Sequence, residues 1–107
     1  MSIVGNKKQC VIANGATDSA KVNLGGHFSH VSVKIPTITS ANLSLKVSQD
    51  FNEETYTTLG NGLLYVSAGT GGFYDVWALG GSYCAIQIIS SVAQEAERTF
   101  EVTGVDI

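Results

Sequence analysis

Apolar and polar residues alternate with a period of two along most of this chain. Val31, Val33 and Ile35 alternate with His30, Ser32 and Lys34, and Leu43, Leu45 and Val47 alternate with Ser44, Lys46 and Ser48. Phe100 and Val102 alternate with Thr99, Glu101 and Thr103. Residues two apart share one face of a strand, so each run predicts a strand with one dry face and one wet face. Cys84, Ile86 and Ile88 also share a face, but Tyr83, Ala85, Gln87 and Ile89 opposite them are mixed. That run predicts a strand covered on both sides. Shorter strands are expected near 8–13, 19–24, 55–59, 62–67 and 73–78.

The segments between these runs are rich in turn formers. Asn14-Gly15 marks a tight turn, because both residue types tolerate positive φ. Gly25-Gly26, Gly60-Asn61-Gly62, Gly71-Gly72 and Gly80-Gly81 are expected to punctuate the remaining strands. Pro36 has no N–H to give a ladder, so it should end the strand before it, with 36–42 as a polar crossover. Ser90–Glu97 is the one stretch with helical character, and it is too short to stand as a helix. It reads as a loop with at most one helical turn. Strands spaced by ~8–12 residues and separated by turns are the pattern of a sandwich or a barrel, and the expected fold is an all-β domain, a single antiparallel β-sandwich spanning 1–107.

Composition narrows the function. The chain has 107 residues, enough to bury a core without a metal or a disulfide. Charged residues are only 14%, against ~25% in typical soluble domains, which suits a surface partly covered by neighbours. The net charge of −3 argues against nucleic acid, whose phosphates need a basic patch. Residues 1–49 set five lysines against Asp18 alone. Residues 50–107 set Arg98 against Asp50, Glu53, Glu54, Asp75, Glu95, Glu97, Glu101 and Asp106. Such asymmetry would serve self-association between copies, but the expectation is that folding interleaves the two halves and averages the field. The first eight residues lack the apolar run of a secretory signal, and no window is long enough for an apolar membrane helix. The expectation is a protein that stays where it is made. Cys10 and Cys84 lie among apolar neighbours and read as reduced core thiols.

Candidate chemistry is sparse, and no cofactor is expected. His27 and His30 should point to opposite sides at the start of a strand, with no further ligand motif beside them. Asp50, Asn52 and Glu54 resemble the start of a calcium loop but lack its glycine and its closing glutamate. Gly69-Thr70-Gly71-Gly72 leads into a strand, whereas a phosphate cradle leads into a helix. There is no nucleophile elbow, and two histidines give a cysteine nucleophile little choice of base. The chain therefore reads as a binding protein and not an enzyme. Aromatic residues are the remaining candidates for contact. Alternation sets Phe73, Asp75 and Trp77 on one side of a strand and Tyr74 and Val76 on the other. Phe51, Tyr74 and Trp77 are the expected partner contacts, since Tyr and Trp favour interfaces. Tyr74 or Trp77 would equally serve a carbohydrate-binding module as a stacking platform.

The order of segments adds a resemblance. Ile12-Ala13-Asn14-Gly15 is followed by Ala20–Phe28 with its Leu24-Gly25-Gly26. Then come Val33-Lys34-Ile35-Pro36-Thr37-Ile38-Thr39 and Ala41–Asp50. Late in the chain Tyr83–Ile88 leads to Ser90-Ser91, a loop with Gln94, and Glu97-Arg98-Thr99-Phe100. So ordered, the sequence resembles the small head decoration (cement) and related virion proteins of tailed bacteriophages. It departs from their pattern at Phe51, where glycine is usual, and at Ser90–Ala93, where the loop is usually richer in Gly and Pro. The resemblance implies a jelly-roll-like sandwich, similar also to galactose-binding-like modules. It further implies a homotrimer on the virion capsid surface that clamps the major capsid protein, assembled in the host cytoplasm without nucleic-acid or membrane partners.

Overall fold

A computed structural model describes residues 3–50, 57–58, 65–67 and 71–106. The described chain is all strand and loop. In order it runs β1 (Ile3–Ile12), β2 (Val22–Ile35), β3 (Ala41–Ser48), β4 (Thr57–Thr58), β5 (Tyr65–Ser67), β6 (Phe73–Ser90) and β7 (Arg98–Asp106). Every pairing is antiparallel, in the order β1-β7-β2-β6-β3-β4, with β5 also against β3. The stretch before β7 forms bends and no helix. The Asn14-Gly15 turn forms as expected. Gly15 has φ 84°, and the Ala16 N–H donates to the Ala13 carbonyl at 3.0 Å. β2 ends at Ile35, directly before Pro36.

Two glycine pairs do something other than turn the chain. The runs expected at 19–24 and 31–35 are largely one strand, β2, and those at 73–78 and 83–89 are one strand, β6. Gly25 (φ 84°) and Gly80 (φ 72°) adopt left-handed backbone inside these strands. The β2–β6 register slips between Asn23 and Phe28 and again between Phe28 and His30. Left-handed glycines at a register slip are the chemistry of a β-bulge, which bends a strand without ending it. Because the slip is shared, β2 and β6 bend together.

That bend explains how the core closes. Val31, Val33 and Ile35 of β2, Leu43 and Leu45 of β3, Ile86 and Ile88 of β6, and Phe100 and Val102 of β7 are buried in one cluster with Cys10, Ile12, Trp77 and Leu79. No helix among the described residues covers this apolar face, and its side chains from β1, β2, β3, β6 and β7 bury one another in that single cluster. The arrangement is compatible with the predicted sandwich. At the bend, the Phe28 ring lies over two glycines. A β-carbon on Gly104 would come within 2.3 Å of the ring and one on Gly5 within 2.8 Å. Only a residue without a side chain lets the ring settle there.

The late half of β6 is buried on one face, through Cys84, Ile86 and Ile88, and only half-buried on the other, where Ala85 is enclosed while Tyr83, Gln87 and Ile89 keep partial exposure, so the expected cover on both sides is incomplete. Ala85 is fully buried, and residues 17–19 run along this part of the strand. The Ser19 N–H donates to the Ile88 carbonyl at 2.9 Å, and the Gln87 amide donates to the Ser19 carbonyl at 2.8 Å. The Ser19 hydroxyl is itself buried and fully used. It accepts from the Cys10 thiol (3.0 Å) and the Ile88 N–H (2.9 Å) and donates to the Ala20 carbonyl (2.8 Å).

A second buried polar group fastens the loops at the same end. Gln94 is 1% exposed. Its carbonyl oxygen accepts from the Thr39 N–H at 2.8 Å and from Arg98 Nε at 3.3 Å. Its amide donates to the Ser90 hydroxyl at 3.0 Å and the Thr39 carbonyl at 3.2 Å. The loops before β3 and before β7 are thereby tied together.

Candidate functional site

The outward surface of β1, β7, β2 and β6 follows from register. Tyr74 lies opposite Lys34, Lys34 opposite Glu101, and Glu101 opposite Gln9. The next row outward is Val76, Ser32, Thr103 and Lys7. Alternation turns Val31, Val33 and Val102 inward, so these rows face out. Tyr74 is 61% exposed and Val76 53% exposed, the two largest exposures of big apolar side chains among the described residues.

The three expected contact residues part company here. Tyr74 stands on the open face. Trp77 does not, being 3% exposed and packed in the core, with its indole N–H donating to Asp75 Oδ2 at 3.2 Å. As the chain stands, Trp77 has no surface on which a partner or a sugar could stack. Phe51 lies outside the described residues, as do Asn52 and Glu54 of the acidic loop. His27 and His30 also go separate ways. His27 Nε2 is 3.1 Å from the Gln49 carbonyl, and His30 Nδ1 is 2.7 Å from the Ser29 hydroxyl.

Beside Tyr74 the surface dips into a cleft of about 260 Å³ lined by Lys34, Ile35, Pro36, Gly72, Thr99 and Glu101. Lys34 joins ring and cleft, its Nζ standing 5.7 Å from the centre of the Tyr74 ring, within cation–π range. Glu101 closes the far side, with Lys7 Nζ at 3.9 Å. The wall near Pro36 is set by glycine. The Gly72 N–H donates to the Ile35 carbonyl at 2.7 Å, and Gly72 takes φ 91°. A β-carbon on Gly71 would fall 2.0 Å from the Pro36 carbonyl carbon. The Gly71-Gly72 segment, expected from sequence to punctuate the strands, is therefore also a close backbone contact.

Of these cleft residues, only Tyr74 beside them stood out in the sequence. Lys34 and Glu101 were visible as wet-face positions of two strands. Nothing in a single sequence says that β2 and β7, some 65 residues apart, are neighbours.

The cysteines lie elsewhere and are buried and unpaired with each other. Burial pushes the Cys10 thiol above its ordinary range, against the smaller opposing pull of its bonds to Ser19 and the Ile88 backbone. Its full burial among apolar neighbours makes Cys10 part of the core.

No protein-family model matches the chain, and no curated protein matches it in sequence. Solved structures do match in fold. A protein derived from the SPBc2 prophage, YomS, aligns with a TM-score of 0.55 at 19% identity, over 97% of this chain and 96% of its own. Chitosan-binding module 1 of a chitosanase/glucanase from Paenibacillus sp. IK-5 aligns with a TM-score of 0.54 at 17% identity, over 88% of this chain and 74% of its own. The low-affinity xylan-binding module CBM86 from Roseburia intestinalis aligns with a TM-score of 0.51 at 14% identity, over 97% and 94%. At these identities the likeness is one of fold: an all-β architecture found in a phage-derived protein and in polysaccharide-binding modules.

Proposed function

We propose that this chain is a non-catalytic structural protein of a phage virion, a capsid decoration subunit that forms a homotrimer and binds the major capsid protein. The observation that carries the reading is the likeness to the prophage-derived protein over nearly the whole of both chains. It is supported by the order of sequence segments and by an open sheet face with Tyr74 and Val76 at its edge. A surface so low in charge suits burial against other subunits. Light scattering on the eluting protein should give about three times the 11.2 kDa chain mass. Mixing with undecorated phage shells should leave the protein on the shells, through an interface well above ~1,000 Å². A monomer that ignores shells would defeat the proposal.

A second reading, a carbohydrate-binding module, is favoured by the chitosan- and xylan-binding neighbours and by the exposed Tyr74 beside a cleft of mixed apolar and polar lining. Trp77 plays no part in it, being buried. A glycan array on the intact protein separates the two readings.

A further inference from the structure

We infer that the cleft between Lys34 and Glu101, with Tyr74 as its apolar edge, is a binding site for a neutral oligosaccharide; this rests on the carbohydrate-binding reading. The cleft offers a cation with N–H donors at Lys34, an acceptor carboxylate at Glu101 and a hydroxyl at Thr99. Beside it stands an aromatic ring that is mostly open to water.

Few ligand classes satisfy that set together. An apolar molecule would strip water from Lys34 and Glu101 without replacing its hydrogen bonds. A phosphate or nucleic acid would meet Lys34 but be opposed by Glu101 across the same opening. A sugar ring has an apolar C–H face that can lie on Tyr74, and hydroxyls that both donate to Glu101 and accept from Lys34 and Thr99. The lining holds one positive and one negative charge, and Lys7 makes only a long, exposed ion pair with Glu101 at 3.9 Å, so the opening carries no strong field of one sign and suits an uncharged sugar better than an acidic or amino one. Adjacent strands are ~4.8 Å apart, so the row from Tyr74 through Lys34 to Glu101 spans roughly 10 Å. That length calls for more than one ring, and a chain of sugars fits it.

The test is titration of the isotope-labelled full chain with xylohexaose, cellohexaose and chitin hexamer, followed by amide NMR. The expected result is saturable shifts confined to residues 32–36, 72–76 and 99–103, little changed by added salt. Tyr74→Ala should weaken binding about tenfold, and Lys34→Met or Glu101→Gln roughly fivefold each. Val92→Ser, an exposed change outside the cleft, should bind as the parent does. Shifts that map elsewhere, or a Tyr74→Ala chain that binds unchanged, overturn this site while leaving the carbohydrate reading standing. No response to any of the sugars at millimolar concentration overturns both. Preference for an acidic or amino oligosaccharide over the neutral ones, lost in salt, overturns the assignment of ligand class.

Discussion

The loop end around Gln94 and the open face around Tyr74 are both polar in sequence, yet they differ in how their groups are used. At the loop end each polar atom of Gln94 and Ser19 has a partner inside the protein, and the side chains are buried. On the open face Lys34 and Glu101 edge a cleft, and a large aromatic ring faces water. A polar group that is internally satisfied holds the fold, while one that keeps spare bonding capacity is available for something else. Sequence composition does not separate these cases; burial and bonding do.

Mutations sharpen the contrast, and the largest effect should come from the core beside the bend. Phe28→Ala removes the ring seated over Gly5 and Gly104, and neither glycine has a side chain to refill the space. Urea unfolding should show a loss of about 3–5 kcal/mol. The loop end comes next. Gln94→Ala strands the Thr39 N–H and takes a partner from Arg98, so the same measurement should register ~2–3 kcal/mol. A loss below about 0.5 kcal/mol would mean that the loops hold themselves.

A smaller effect depends on pH. Native Cys10 keeps its proton to higher pH than an unfolded thiol does, because burial disfavours the thiolate. As pH rises through the ordinary thiol range, the unfolded chain loses protons that the native chain retains, and stability falls. Melting temperature should therefore decline across alkaline pH, with a shallower decline in Cys10→Ala. Identical slopes would remove Cys10 from the account. The smallest stability change belongs to the open face. Tyr74→Ala should alter stability by less than about 0.5 kcal/mol while weakening contact with shells or sugars, which a parallel melt and binding assay would check. A large fall in stability would reassign Tyr74 to the framework.

Much of the framework was legible from alternation. The dry positions of β2, β3 and β7 are the buried ones, Pro36 closes β2, and the mixed pattern of 83–89 marks a strand with one buried face and one half-buried face. The glycine pairs misled because left-handed glycine serves a turn and a bulge equally. Which one forms at Gly25 or Gly80 is decided by the partner strand, absent from any local window. Trp77 shows the same limit. Its neighbours assign it correctly to a face with Asp75, but whether that face is wet or dry depends on what the sheet folds over. The cleft was illegible for a related reason, since it is assembled from β2, β7 and the Gly72 segment, distant stretches that only pairing brings together.

The terminal pairing sets a timetable for folding. Ile3 of β1 finds its place opposite Asp106 of β7, and Ile12 opposite Arg98. During synthesis β1 must wait for nearly all of the intervening chain to leave the ribosome before its partner exists. Partners so far apart in sequence put the domain among slow folders, on the order of milliseconds to seconds. For that interval an edge strand carrying Lys7 and Lys8 is exposed, and those two charges guard it against pairing with the wrong neighbour.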